Sequence, residues 1–403
     1  MIPKDQERID RIRRELRHHQ LDGLLLLHPD NILMTTGMLP GSTHVAALVT
    51  TDAEVAVLSP WWREEFVSKE SWADSIDTFD WCRGFNGVEP VSAMMEILRS
   101  YRQRYHLERV GFDGHMHHYG PTKLPSEFFT YDEVKAGLPE IFKSAVDVGP
   151  LLAELKAIKT AREIAQLRRT HHVAEAGIRA FYGHARAGLT ELELAAEVNY
   201  AVLKMAGQKG IRYTYCDPPQ ITSGADRTFI ADTMSNHATD RVLRTGDMVM
   251  LELGVQADGY WADITRSLVV GGPTDTHLKL HAALLQAQTR AVAAYVPGQS
   301  TGEALCEEAW SALREAGFAA GITHFLGHGL GFAYHEELPI LGPNSSDVLQ
   351  AGNVTSLEPG LYWQVDGKRL GGMRVEDNVA WGNEPGKGEI LSNFYRGLNP
   401  AEW

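Results

Sequence analysis

Two segments place acidic residues on both arms of a hairpin. In "MVMLELGVQADGYWADITRSLVV", Glu252 and Asp263 flank an Asp-Gly turn, and in "VTSLEPGLYWQVDGKRLGGMRVEDNV", Glu358 and Glu376 flank a second one. Asp-Gly between alternating apolar runs is a strong hairpin signal, because a type I′ turn needs positive φ at both central residues. If the first turn centres on Ala257-Asp258, Glu252 faces Asp263. If it centres on Asp258-Gly259, the two are diagonal neighbours, and either register puts both on one face. The second pair follows the same logic around Asp366 to Lys368. Acids opposed in Val/Leu/Met surroundings repel one another and call for a cation. Between the hairpins lies His328, in "THFLGHGLGFAYHEELP", where glycines let the backbone approach closely. Four carboxylates and an imidazole suit a hard to borderline divalent metal, such as Mn, Fe, Co or Zn. Taken singly, a strand Glu is usually solvated and a His usually a hydrogen-bonded structural residue. Their joint pattern is what points to chemistry.

The elements that must position these residues fall into two halves. The first alternates a helix near residues 4–20, strands in "GLLLLHP", "HVAALVTT" and "EVAVLSP", a helix near 90–104 and a strand in "RVGFD", which is an α/β pattern. A long helical region begins around 148–160, so the domain boundary is expected near residue 150, giving domains 1–150 and 151–403. Beyond it, helices near 190–206, 278–295 and 301–316 interleave with the acid-bearing strands, an α+β arrangement. The basic run "RIDRIRREL" reads as the solvated face of the first helix. Trp61 and Trp62 read as core residues in preference to residues lining a pocket from the N-domain side. His115, His117 and His118 read as a surface loop, since no acid or cysteine stands at ligand spacing.

With these residues in place, the chain resembles the creatinase, prolidase and methionine aminopeptidase superfamily, the "pita-bread" fold. The family's Asp-x-Gly-x4-Gly-Tyr-x2-Asp-x-Thr-Arg motif reads here as Glu252-Leu-Gly254, Gly259-Tyr260 and Asp263-Ile-Thr265-Arg266. Gly327-His328-Gly329, Glu358-Pro359-Gly360 and Arg374-Val-Glu376-Asp377 match three further motifs. The likeness extends through a creatinase-like N-terminal domain and covers nearly the whole chain. It implies an α/β N-terminal domain followed by an α+β pita-bread catalytic domain. It also implies Asp263 and Glu376 as bridging metal ligands, His328 and Glu358 as ligands of one metal, residue 252 as a ligand of the other, and Glu358 as acceptor of a proton from water. His335 is implied to bind the substrate carbonyl, and Arg374 to orient Glu376 or meet a substrate carboxylate. Such a pair of cations would activate water and polarise a scissile carbonyl. Relatives are usually dimers, so a homodimer is expected.

Three departures bear on substrate. Glu252 stands where the family has Asp, and its extra methylene moves the carboxylate by about 1.5 Å against a ligand-distance tolerance of about 0.2 Å; occupancy there is therefore doubtful, leaving one or two metals per chain. A family histidine about six residues before the Arg of Asp-Arg falls on Ser235, counting back from Arg241, with His237 two residues on and able to substitute. No arginine lies between Pro339 and Gly352 to hold a product carboxylate. Three readings follow. The first is a metal-dependent Xaa-Pro aminopeptidase or dipeptidase. The second is a creatinase-like C–N hydrolase or lyase of a small polar metabolite, with Glu252 even a nucleophile. The third is a binding protein that has kept the fold.

Composition bounds the remainder. The 403 residues, 44% hydrophobic, suffice for two cores, and a net charge of −14 argues against a nucleic-acid partner. Cys82, Cys216 and Cys306 form no metal or redox motif, which suits a reducing cytoplasm. The N-terminus has no apolar signal region, and no stretch approaches the roughly 18 apolar residues of a membrane span. A cytoplasmic protein that is not membrane-bound is expected.

Overall fold

The structure, a computed structural model, describes residues 2–41, 44–80, 89–114, 129–231 and 237–402. Cys82, the histidines at 115, 117 and 118, and Ser235 lie outside the described residues. The chain divides into two compact units, Met1–Lys156 and Ala157–Trp403. The division comes just past residue 150 because the helix Gly149–Ala157 runs on through that point.

The first unit holds a six-stranded sheet of β1 (Gly23–Leu26), β2 (Ala46–Thr50), β3 (Val55–Pro60), β4 (Ser75–Phe79), β5 (Arg109–Phe112) and β6 (Ser144–Asp147), ordered β4-β3-β2-β1-β5-β6. β1 pairs antiparallel with β2 and parallel with β5, so the sheet is mixed. β1 to β3 are buried throughout, as expected for apolar runs covered on both faces. The helices Gln6–His18 and Pro90–Arg104 form where their apolar spacing places them, with Leu98 and Tyr101 of the second helix in the core. Two expectations need correction. Arg8 is wholly buried, its guanidinium donating to the Leu155 carbonyl, so the basic face of the first helix is solvated only in part. Trp61 and Trp62 are 41% and 42% exposed, edge to face on a short 3-10 turn, because the chain leaves the buried β3 strand at Pro60.

The second unit carries the acids. β9 (Met248–Ala257) and β10 (Tyr260–Val269) form a long antiparallel hairpin, and β7 (Thr214–Cys216) and β8 (Gln220–Ser223) pair along the other edge of β9. A second sheet orders as β12-β11-β13-β16-β17, from β11 (Gly327–Gly329), β12 (Glu336–Leu341), β13 (Val354–Leu357), β16 (Asp377–Trp381) and β17 (Gly388–Ile390). β14 (Gly360–Val365) and β15 (Lys368–Arg374) form a separate ribbon. The helix Ala161–His184 packs on the β9–β10 hairpin, Glu191–Leu203 packs on that helix and on β7 and β8, and Asp275–Ala293 and Gly302–Glu315 pack over a second core that includes Leu357, Met373 and Val379. The helical region from residue 148 is two helices: Thr160 caps Ala161–His184 through a capping box with Glu163, which stops the preceding helix from running through. No helix among the described residues is long and apolar enough to cross a membrane.

Candidate metal centre

The first hairpin turns on Asp258-Gly259, with φ of 49° and 94°, and pairs Tyr260 with Ala257. Asp263 therefore lies opposite Gly254 and Glu252 opposite Thr265, the diagonal alternative, with both acids on one face. The second hairpin differs from a simple ladder. Leu357 pairs with Asp377 in one sheet and Gly360 with Arg374 in the ribbon, so Glu358 and Glu376 fall in the gap between them. The chain leaves one sheet for the other there, and the break frees both carboxylates to turn toward β10.

Three of the sequence-derived ligands meet at His328. Its Nε2 lies 3.6 Å from Asp263 Oδ2 and 3.6 Å from Glu358 Oε1, while its Nδ1 lies 2.9 Å from the Gly329 carbonyl oxygen. A carbonyl can only accept, so Nδ1 carries the proton and Nε2 presents its lone pair to the carboxylates. Burial and the neighbouring His335 hold the His328 imidazole well below its usual pKa, which keeps that lone pair available. Donor atoms of Asp263, His328 and His335 fall within 4.8 Å of one another, and so do those of His328, Glu358 and Glu376.

The surroundings fit a cation. Glu376 Oε2 accepts from the Thr265 hydroxyl at 2.7 Å, but its buried Oε1 has no hydrogen-bond partner. A buried carboxylate oxygen in that condition is costly unless a positive charge meets it. Burial, with Asp263 and Glu358 adding repulsion, pushes the Glu376 carboxyl well above the usual range. Burial likewise pushes Glu358 up to about 8, although Arg374 opposes the rise. Oxygen donors with one imidazole nitrogen match a hard to borderline divalent ion.

A network behind the ligands fixes them. Asn378 clamps the Asp263 backbone, accepting from its N–H at 3.0 Å and donating to its carbonyl at 2.7 Å, and Asn378 Oδ1 also lies 2.7 Å from His171 Nε2. Arg266, fully buried, donates to the Glu376 carbonyl at 2.6 Å and to Asp377 Oδ1 at 2.8 Å, which accounts for the Arg and Asp of the two motifs. Arg374 does not contact Glu376 directly. Its Nε donates to Thr265 Oγ1 at 2.9 Å, and that hydroxyl holds Glu376. Its Nη2 lies 2.5 Å from Glu252 Oε2, and its Nη1 donates to the Tyr362 hydroxyl at 3.1 Å. Burial works against the Arg374 charge, but Tyr362, Glu252 and the other acids overcome it, and its pKa rises.

His335 joins the cluster, its Nε2 3.5 Å from Asp263 Oδ2 and its ring 4.0 Å from that of His328. His237 is not among these clustered donors; it is exposed, and its carbonyl accepts from Arg227 at 2.6 Å. Sequence reasoning missed Tyr334, whose hydroxyl lies 2.7 Å from Asp263 Oδ1 and 3.1 Å from Glu252 Oε1. An aromatic residue beside a glycine-rich strand carries no signal of such a contact. Asn378 was also missed; it lies two residues past Glu376, just inside β16, and nothing in its local sequence marks its contact with the Asp263 backbone.

Comparison with known proteins places this geometry in a family. Residues 165–382 match the profile of metallopeptidase family M24, and residues 8–158 match the creatinase/prolidase N-terminal domain. An Xaa-Pro dipeptidase of Pyrococcus furiosus is 27% identical over 93% of this chain and 94% of its own length. Among solved structures, the prolidase from Pyrococcus horikoshii superposes with a TM-score of 0.75 at 25% identity, over 97% of this chain and 99% of that one. The prolidase from Pyrococcus furiosus gives 0.73 at 26%, over 95% and 100%. The motifs, the converging donors and a profile that spans more than half the sequence agree: the chain belongs to metallopeptidase family M24.

Proposed function

We propose that the chain is a metal-dependent peptidase that hydrolyses Xaa-Pro bonds, as an Xaa-Pro aminopeptidase or dipeptidase. The observation that carries the chemistry is a pair of donor clusters that share His328, Asp263 with His335 in one and Glu358 with Glu376 in the other, with a buried Glu376 oxygen that has no hydrogen bond. The proline specificity is supported by the Pyrococcus relative named an Xaa-Pro dipeptidase and by the two prolidases of the same fold. Catalysis belongs to the second unit, which follows a creatinase-like N-terminal domain in the sequence.

Asp263, His328, Glu358 and Glu376 are the residues that would hold the metal. A divalent ion there, Mn, Co, Zn or Fe, supplies Lewis acidity toward a carbonyl and makes water more acidic. The protein's own groups do the rest. Glu358, whose side chain keeps 15% of its surface exposed, receives the proton of the attacking water and passes it to the leaving amine. His335, also partly exposed, donates to the substrate carbonyl as it becomes tetrahedral, a contribution commonly worth a few kcal/mol. Thr265, held by Arg374, keeps Glu376 in place, and Asn378 does the same for Asp263. His237 is proposed to meet substrate at the edge of the site. The protein is further proposed to be cytoplasmic, not membrane-bound, homodimeric and without a nucleic-acid partner.

A second reading is favoured by one observation, the engagement of Glu252 with Arg374. A creatinase-like C–N hydrolase or lyase of a small polar metabolite has less need of the Glu252 position as a ligand. One experiment decides. Protein stripped by chelation and restored with each ion is assayed on Xaa-Pro dipeptides, longer Xaa-Pro peptides and non-proline controls. Cleavage before proline that is lost on stripping and regained on restoration is the expected result. Turnover of a small C–N substrate that is indifferent to chelation would replace the first reading with the second. Retention of all four donors weighs against a protein that only binds.

A further inference from the structure

Glu252 is fully engaged without a metal ion. Arg374 Nη2 lies 2.5 Å from its Oε2, and the Tyr334 hydroxyl lies 3.1 Å from its Oε1. The same hydroxyl is 2.7 Å from Asp263 Oδ1, so the phenolic oxygen stands between the two carboxylates of the first hairpin. An ion bridging Glu252 and Asp263 would have to stand about 2.0–2.2 Å from an oxygen of each. The Tyr334 hydroxyl takes one oxygen of each carboxylate, and Arg374 takes the second oxygen of Glu252.

Neither occupant is loosely placed. The Tyr334 ring is buried, stacked on His335 with centroids 4.6 Å apart and set edge-on to Trp261 at 5.6 Å. Arg374 is also buried and is anchored by Thr265 Oγ1 and the Tyr362 hydroxyl. The charges balance locally. The guanidinium answers the Glu252 carboxylate, and the single phenolic proton, shared with the shorter contact to Asp263, screens the two carboxylates from each other. The longer side chain at 252 fits this scheme, since the extra methylene carries the carboxylate to Arg374.

We propose that the Glu252 position takes no metal ion: Arg374 neutralises Glu252, Tyr334 bridges it to Asp263, and the chain therefore holds a single ion on Asp263, His328, Glu358 and Glu376. The inference rests on the metallopeptidase reading for that single ion. Tyr334 and Arg374 act on the reaction as positioning residues through Asp263 and Glu252, and Tyr334 is the residue that fixes the stoichiometry.

The test is Mn²⁺ bound per chain, measured by equilibrium dialysis with elemental analysis, together with the electron paramagnetic resonance of the bound ions. Wild type is expected to bind one equivalent with the spectrum of an isolated ion. The double variant Glu252→Asp/Tyr334→Phe, which withdraws the carboxylate from Arg374 and removes the hydroxyl, is expected to gain a second equivalent and the spectrum of an exchange-coupled pair. Two equivalents in wild type, or a folded double variant with no gain, would overturn the inference. If the double variant does not fold, Tyr334→Phe alone keeps the ring stacked on His335 and carries the same test, a gain supporting the inference and no gain overturning it. Wild type that binds no ion would instead count against the metallopeptidase reading, while the difference between variant and wild type still decides the role of Tyr334.

Discussion

Thr265 shows how one hydroxyl can tie together a candidate metal site. It donates to Glu376 Oε2 at 2.7 Å and accepts from Arg374 Nε at 2.9 Å, so it links the Glu252–Arg374 pair to the buried ligand. Partners that orient ligands in this way are typically worth about 10–100-fold in metal affinity. Thr265→Val keeps the shape and removes both bonds, and is expected to weaken metal binding by that factor with little change in fold, as calorimetric titration of the stripped protein would show. Unchanged affinity would mean that Glu376 holds its place without help. The candidate ligands were legible as candidates in the sequence, because Asp263, His328, Glu358 and Glu376 stand out by type, turn spacing and glycine context. Tyr334 and His171 were not legible. Their contacts join segments 71 and 207 residues apart, to Asp263 and Asn378, and depend on how separate strands and helices pack.

Elements were legible where local rules decide them and less so where sheets exchange partners. Asp258 and Gly259 adopt the positive φ that a type I′ turn needs, so the first hairpin could be placed from sequence to within its two possible registers. The second was placed correctly at Asp366-Gly367, but the break that isolates Glu358 and Glu376 arises from pairing with different strands, which no local pattern encodes. The helix break at residue 160 is the opposite case, since Thr160-Ala-Arg-Glu163 is a readable capping box. Thr160 accepts from the Glu163 N–H at 3.2 Å, and Glu163 accepts from the Thr160 N–H at 2.8 Å. Thr160→Ala is expected to cost about 1 kcal/mol of stability, and Thr160→Ser to recover most of it. The midpoint of denaturant unfolding measures both. Equal midpoints for wild type and Thr160→Ala would show that packing of Ala161–His184 fixes its start without the cap.

The molecule comprises two units, each with its own core, and they answer differently to solution conditions. Among the described residues, the second unit concentrates buried acids at the candidate metal centre, whereas the first has one wholly buried acid, at the end of its sheet. Asp113 follows β5 and accepts from the N–H groups of Leu27 and His28, where β1 ends, and from the Asn31 side-chain amide. Burial outweighs these three donors and pushes its carboxyl up to about 7. An acid with a raised pKa in the folded state keeps its proton where the unfolded chain releases it. Between about pH 4 and pH 7, then, unfolding releases a proton and stability falls as pH rises; below about 4 and above about 7 the contribution is flat. Asp113→Asn removes the titration, although its amide N–H₂ must confront donors, so the variant is expected to be less stable at every pH. What identifies Asp113 is the slope. Denaturant titrations of the full chain should give a stability difference between wild type and variant that shrinks by a few kcal/mol as pH rises from about 4.5 to about 7.5, because the wild type alone loses this contribution. A difference that stays constant, or that widens toward neutral pH, would show that the donors hold Asp113 ionised and that its role is to tie the ends of β1 and β5 together as a carboxylate.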